Sequence, residues 1–104
     1  MLQRFSLVTQ VAVGTSVSAS KTIEFRSFGA GQVFVPVGSA ITVLTWYGSY
    51  DGITFLPIQD GNGNAVISTV SAGNCCLIPA ACFACAFLRA TDPTGGTINL
   101  SLKA

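Results

Sequence analysis

Alternation with a period of two constrains this chain more than any other feature. Residues 97–103 show it most cleanly: Ile98, Leu100 and Leu102 share one side, while Thr97, Asn99, Ser101 and Lys103 share the other. That spacing gathers the apolar side chains on one face of an extended strand and would scatter them around a helix. The same rhythm sets Phe5, Leu7, Val11 and Val13 against Arg4, Ser6, Gln10 and Ala12, and sets Ile23 and Phe25 against Thr22, Glu24 and Arg26. A third strand is expected over 32–37, placed toward a sheet edge or a strand end by Pro36, which cannot donate to a ladder. Residues 40–47 are rich in β-branched and aromatic residues on both sides, as expected of a strand covered on each face. No window carries a helical stripe.

Turn chemistry divides the rest. The Asp51-Gly52 pair signals a hairpin with 53–58 as its return strand, and Asp60-Gly61-Asn62-Gly63-Asn64 makes a second turn leading into 65–70. Residues 71–74 turn again, strands follow over 75–78 and 84–91 on either side of Pro79, and 92–96 form the last turn. Eight or so short antiparallel strands without a helix specify an all-β fold: a single jelly-roll-like β-sandwich spanning 1–104.

Charge is scarce. Only 9% of the 104 residues are charged, against about 25% in an ordinary soluble domain, and 50% are apolar. The exterior must therefore consist largely of Ser, Thr, Asn, Gly and aliphatic carbon, a surface suited to contact. Five Lys and Arg against four Asp and Glu give a net charge of +1, too small to hold nucleic acid or an anionic membrane. The chain has no histidine, which removes imidazole acid–base schemes and His-ligated metals. The first twenty residues loosely imitate a secretory signal, but Thr9 and Gln10 interrupt the apolar run and a strand is the better reading. The longest stretch free of polar residues, 75–88, contains Pro79 and falls short of the roughly 20 residues a membrane helix needs, so a buried segment is expected there.

No motif points to catalysis, a cofactor or a metal. Cys75, Cys76, Cys82 and Cys85 lack the intervening loop of a zinc knuckle, and no strand-to-helix junction follows Cys82 to activate a redox thiol. Reduced thiols packed as small core residues are the preferred reading, with disulfides the alternative. The Asp60 turn begins like a calcium loop but has Ala65 where the bend needs Gly and Ser71 where a bidentate Glu is required. The carboxylates Glu24, Asp51, Asp60 and Asp92 lie on one strand and three turns, and the three aspartates are expected to shape their turns. Trp46, Tyr47, Tyr50 and Phe55 gather around the Asp51-Gly52 hairpin. Most of these should be core, with Tyr50 exposed at the tip, so Tyr50 and Asp51 are the candidate exposed contact residues.

The run Trp46-Tyr47-Gly48-Ser49-Tyr50-Asp51-Gly52-Ile53-Thr54-Phe55-Leu56-Pro57-Ile58, with Asp60-Gly61 and Phe87-Leu88-Arg89 after it, resembles small phage virion proteins. It is also similar to discoidin-type galactose-binding sandwiches, whose binding loops are longer than these turns, so no binding residue transfers. The virion resemblance covers residues 41–102 and implies a structural role: a capsid cement or decoration protein, or a small tail or fibre component. The implied partners are the major capsid protein or other virion subunits and further copies of the chain, at the capsid surface of a virion made in the host cytoplasm. A carbohydrate-binding module is the alternative. An enzyme is not expected.

Overall fold

The computed structural model describes residues 6–26 and 28–103, so the expected positions of Arg4 and Phe5 lie outside the described residues. Nine strands follow in order: β1 (Ser6–Val13), β2 (Ile23–Glu24), β3 (Ala30–Phe34), β4 (Val43–Ser49), β5 (Leu56–Pro57), β6 (Ile67–Thr69), β7 (Cys75–Leu77), β8 (Phe87–Thr91) and β9 (Gly96–Lys103). Single 3-10 turns lie at Val17–Ala19 and Ala80–Cys82. One sheet, here sheet A, has the order β1-β9-β3-β7. Sheet B has the order β2-β8-β4-β5, with β6 also on β4. All ladders are antiparallel.

Strands β5 and β6 act as one interrupted strand. Pro57 and Leu56 pair with Tyr47 and Gly48, while residues 67–69 pair with 45–43 on the same β4. Between them Ile58 donates its N–H to the Trp46 carbonyl and Val66 accepts the Trp46 N–H, so the 59–65 turn is an excursion from a single edge. Counted this way, the first strand pairs with the last, the second with the next to last, and so inward. Nested pairing of this kind is a long hairpin rolled over on itself, a jelly roll.

Alternation builds the core. Val11, Val13, Val33, Ile98, Leu100 and Leu102 from sheet A meet Ile23, Leu44, Trp46, Leu88 and Ala90 from sheet B, all of them buried. Trp46 is fully enclosed and its indole N–H donates to Ser68 Oγ at 2.9 Å, which satisfies the ring's one donor. The buried segment expected at 75–88 is a correction. Only Ile78, Cys82 and Leu88 are buried there, because Cys75 and Leu77 alternate outward from β7 and Phe83 and Ala84 lie on the surface.

Several expected strands are shorter or displaced: 40–47 becomes Val43–Ser49, 65–70 becomes Ile67–Thr69 and 84–91 becomes Phe87–Thr91, and three further changes have a visible cause. Residues 22–28 yield only Ile23–Glu24, because the chain must leave sheet B to reach sheet A. There Phe25 turns into the core and stacks on Phe83 at 5.8 Å between ring centres. The return strand expected at 53–58 shrinks to Leu56–Pro57, because the Asp51 carboxylate takes the N–H groups of Ile53 and Thr54 that a ladder would need. The third strand begins two residues early, at Ala30, and stops before Pro36. It lies between β9 and β7, so Pro36 marks a strand end and not an edge.

Candidate docking surface

The two outer faces differ in charge. On sheet B, Glu24 bonds Arg26 at 2.6 Å, and that guanidinium lies 5.0 Å from the centre of the Phe87 ring. Both partners of this ion pair are well exposed, so it contributes at most about 1 kcal/mol. Arg89 stands over the Phe55 ring at 4.2 Å and donates to Thr22 Oγ1 at 2.9 Å and to the Val17 carbonyl at 3.1 Å. These contacts tie the 17–22 and 50–55 segments to β8.

Sheet A turns outward the residues its core positions leave over. The register aligns Val8, Ser101, Gln32 and Leu77 in one row and Gln10, Asn99, Phe34 and Cys75 in the next. Val8 is 77% exposed and Leu77 72%. Among the described residues, Lys103 is the one charged side chain that the four strands place on this face. A shallow groove of about 200 Å³ runs between Gln32, Leu77, Ser101 and Lys103. No solvated ion pair has to be broken to cover such a face, and it offers amides and hydroxyls for hydrogen bonds beside apolar side chains.

The sequence did not single out this face. Its residues come from four separate strands, and only the register brings them into rows. Alternation in β9 alone pointed to Thr97, Asn99 and Ser101 as outward, which was the available signal.

The expected contact residues lie elsewhere. Tyr50 is 81% exposed and flanks a groove of about 410 Å³ walled by Leu56, Pro57, Ile58 and Cys85. The floor is Gly48, where a Cβ would run into the Cys85 sulfur, so the missing side chain lets the 84–86 segment lie against β4. Asp51 is exposed, but its carboxylate is turned onto its own loop. Its Oδ1 accepts from the N–H groups of Ile53 and Thr54, both at 2.9 Å, and from Ser49 Oγ at 2.8 Å. Those donors hold the carboxyl down to about 2. The groove beside Tyr50 is thus mostly hydrocarbon, and Asp51 shapes the loop that carries the ring.

Asp60 plays the same local part, accepting from the N–H groups of Asn62 and Asn64 at 2.8 and 3.0 Å. Asp92 does more than set its turn. It is buried, with Oδ2 accepting from Thr94 and Gly95 in its own turn and Oδ1 accepting from Thr42 and Val43 at the start of β4. Burial pushes its carboxyl up, but the N–H groups of Val43, Thr94, Thr42 and Gly95 outweigh burial and hold it below the usual carboxylate range.

The four cysteines carry free thiols. Cys75 is exposed beside Gln32, and Cys76 is half-buried with its thiol raised by burial and by Cys75. Cys82 is enclosed and pushed up to about 12, by burial first and then by Cys85, and burial also raises Cys85. Thiols held protonated in this way pack as small apolar groups. No helix among the described residues is long and apolar enough to cross a membrane. No family model matches the chain, and no curated protein or solved structure matches it.

Proposed function

We propose that this chain is a non-enzymatic structural protein of a virus particle, a phage capsid cement or decoration protein that stiffens the shell by binding neighbouring coat subunits. The observation that carries the reading is the nearly charge-free outer face of sheet A. Soluble domains ordinarily guard a broad sheet face and its edges with Lys and Glu. Among the described residues the arginines, Arg26 and Arg89, lie against Phe87 and Phe55 on the side of the opposite sheet, so that side stays hydrated while the outer face of sheet A is free to be covered. Jelly rolls occur in both viral capsid and lectin domains, so the fold by itself does not choose between them.

The test is the location of labelled chain on purified particles by electron microscopy. Cement predicts label at regular positions over the head. Label confined to the tail would favour a tail or fibre component, and unlabelled particles would refute a virion role.

One observation favours carbohydrate binding instead: Tyr50 stands exposed beside the groove of about 410 Å³. A glycan screen with the wild-type chain and Tyr50→Ala separates the readings. Binding lost in the variant would replace the cement reading, and no binding to any glycan would remove the alternative.

A further inference from the structure

The segment that carries the chain from β7 in sheet A to β8 in sheet B holds two thiols, Cys82 and Cys85, three residues apart. It winds as a 3-10 turn. Cys82 donates its N–H to the Pro79 carbonyl, Phe83 to that of Ala80, and Cys85 to that of Cys82 at 3.2 Å. In a turn of this kind residues three apart are eclipsed, so the side chains of Cys82 and Cys85 leave the backbone on the same side. A turn closed by that last bond also holds the two Cα atoms within about 7 Å, inside the span that a disulfide bridges.

Both sulfurs face the same interior. Cys82 is fully enclosed in the core. Leu44 and Trp46 are inward residues of β4, and alternation puts Gly48 next on that side. A Cβ on Gly48 would meet the Cys85 sulfur, so Cys85 also reaches into the sandwich. The charge on one thiolate opposing that on the other helps to raise the Cys82 thiol, a second sign that the pair is close. Access is unequal, because Cys85 lies on the wall of the groove of about 410 Å³ beside Tyr50 whereas Cys82 is shut off from solvent. The remaining two cysteines are placed differently. Cys76 lies opposite the buried Val33 and faces inward, while its neighbour Cys75 is exposed on the outer face, so β7 turns these two apart.

We propose that Cys82 and Cys85 form a dithiol–disulfide site, oxidised by a small-molecule disulfide that reaches Cys85 through the groove beside Tyr50. The Cys85 thiol gives up its proton and its sulfur attacks one sulfur of the small disulfide. That S–S bond breaks, the departing thiolate takes up the proton, and a mixed disulfide is left on Cys85. Cys82 then gives up its proton and attacks the Cys85 sulfur, expelling the second small thiolate, which is protonated in turn. Two electrons and two protons pass from the protein to the small disulfide, leaving one protein disulfide and two small thiols. Burial keeps both protein thiols protonated, so exchange is slow at neutral pH and the bond is a staple that is set once, not a turning-over catalyst. Once closed, it fixes the turn that stacks Phe83 on Phe25 and forms one wall of the groove. The site stands apart from attachment to particles, and either can fail without the other.

The experiment incubates the reduced full chain with glutathione disulfide at mildly alkaline pH, blocks the remaining thiols with an alkylating reagent, and maps the cysteine peptides by mass spectrometry, with Trp46 fluorescence reporting that the fold is intact. Cys75 should keep a glutathione adduct, because its neighbour Cys76 faces the other way. Cys82 and Cys85 should instead be found bonded to each other, with both thiols lost and no glutathione retained on either. Cys82→Ala should leave the adduct standing on Cys85, and Cys85→Ala should leave Cys82 unmodified; alanine keeps each position small and apolar. The wild-type map decides the matter even if one of these variants fails to fold. Free thiols at both positions, a lasting adduct on Cys85 of the wild type, a bond from either residue to Cys75 or Cys76, or an 82–85 disulfide that forms only in denaturant would each overturn the proposal.

Discussion

Asp92→Asn probes the interaction that ties the turn between β8 and β9 to the start of β4. The wild-type carboxylate is 2% exposed and accepts four backbone N–H bonds at 2.8–3.0 Å, two within its own turn and two from the start of β4, some fifty residues away in sequence. Asparagine has the same shape but one acceptor oxygen, and its NH2 would face two of those donors. Two buried N–H groups then lose their acceptor at about 1–3 kcal/mol each, and the other two bonds lose their charge assistance, about 1 kcal/mol each. Relief of the buried charge offsets part of this, leaving a net loss of about 3–5 kcal/mol, a large share of the 5–15 kcal/mol typical of a domain. Urea unfolding followed by the fluorescence of Trp46, the only tryptophan, measures it directly. The pH dependence carries a sign. Because the folded carboxyl lies below its unfolded value of about 3.9, its contribution is complete above that pH and drains away as pH falls through the lower folded value. The wild type should lose stability in that acid window, and Asp92→Asn should lack this component. A loss under about 1 kcal/mol at neutral pH would refute the role given to Asp92.

Gly14→Ala should destabilise by about 1–3 kcal/mol in the same assay, since its Cβ would fall 2.7–2.9 Å from Ala19, partly against backbone; a neutral variant would mean that this turn yields freely. Arg89→Ala should cost about 1–2 kcal/mol and speed amide exchange in residues 17–22 and 50–55, with Arg89→Lys restoring only part of it. Full rescue by lysine would argue against the two-sided hydrogen bonding. Under native conditions a thiol reagent followed by peptide mass spectrometry should modify Cys75 first and Cys82 only on unfolding. Early labelling of Cys82 would contradict its enclosure.

Much of the architecture was legible because strand alternation is local. β9 follows its sequence pattern residue by residue, and the burial of Trp46 follows from aromatic content in a chain that is half apolar. What failed was decided by partners remote in sequence, or by side chains competing for the backbone. Asp51-Gly52 reads as a tight hairpin, yet the aspartate bonds Ile53 and Thr54 and postpones the return strand to Leu56. Nothing local to Phe25 announces that the chain crosses between sheets there. Asp92 was read correctly as a turn residue, but its hold on Thr42 and Val43 could not be inferred without the fold. The outer face of sheet A was hidden for the same reason, since its rows combine residues from both ends of the chain.

Particle attachment across a salt series tests the central claim most directly. Labelled chain is bound to purified particles, salt is raised to about 1 M, where the screening length falls to about 3 Å, and the fraction that sediments is measured. Attachment through the neutral face of sheet A predicts retention that is flat or rising over the series. Release that tracks salt concentration would mean that charged groups hold the chain in place, and the account built on its scarcity of charge would be wrong.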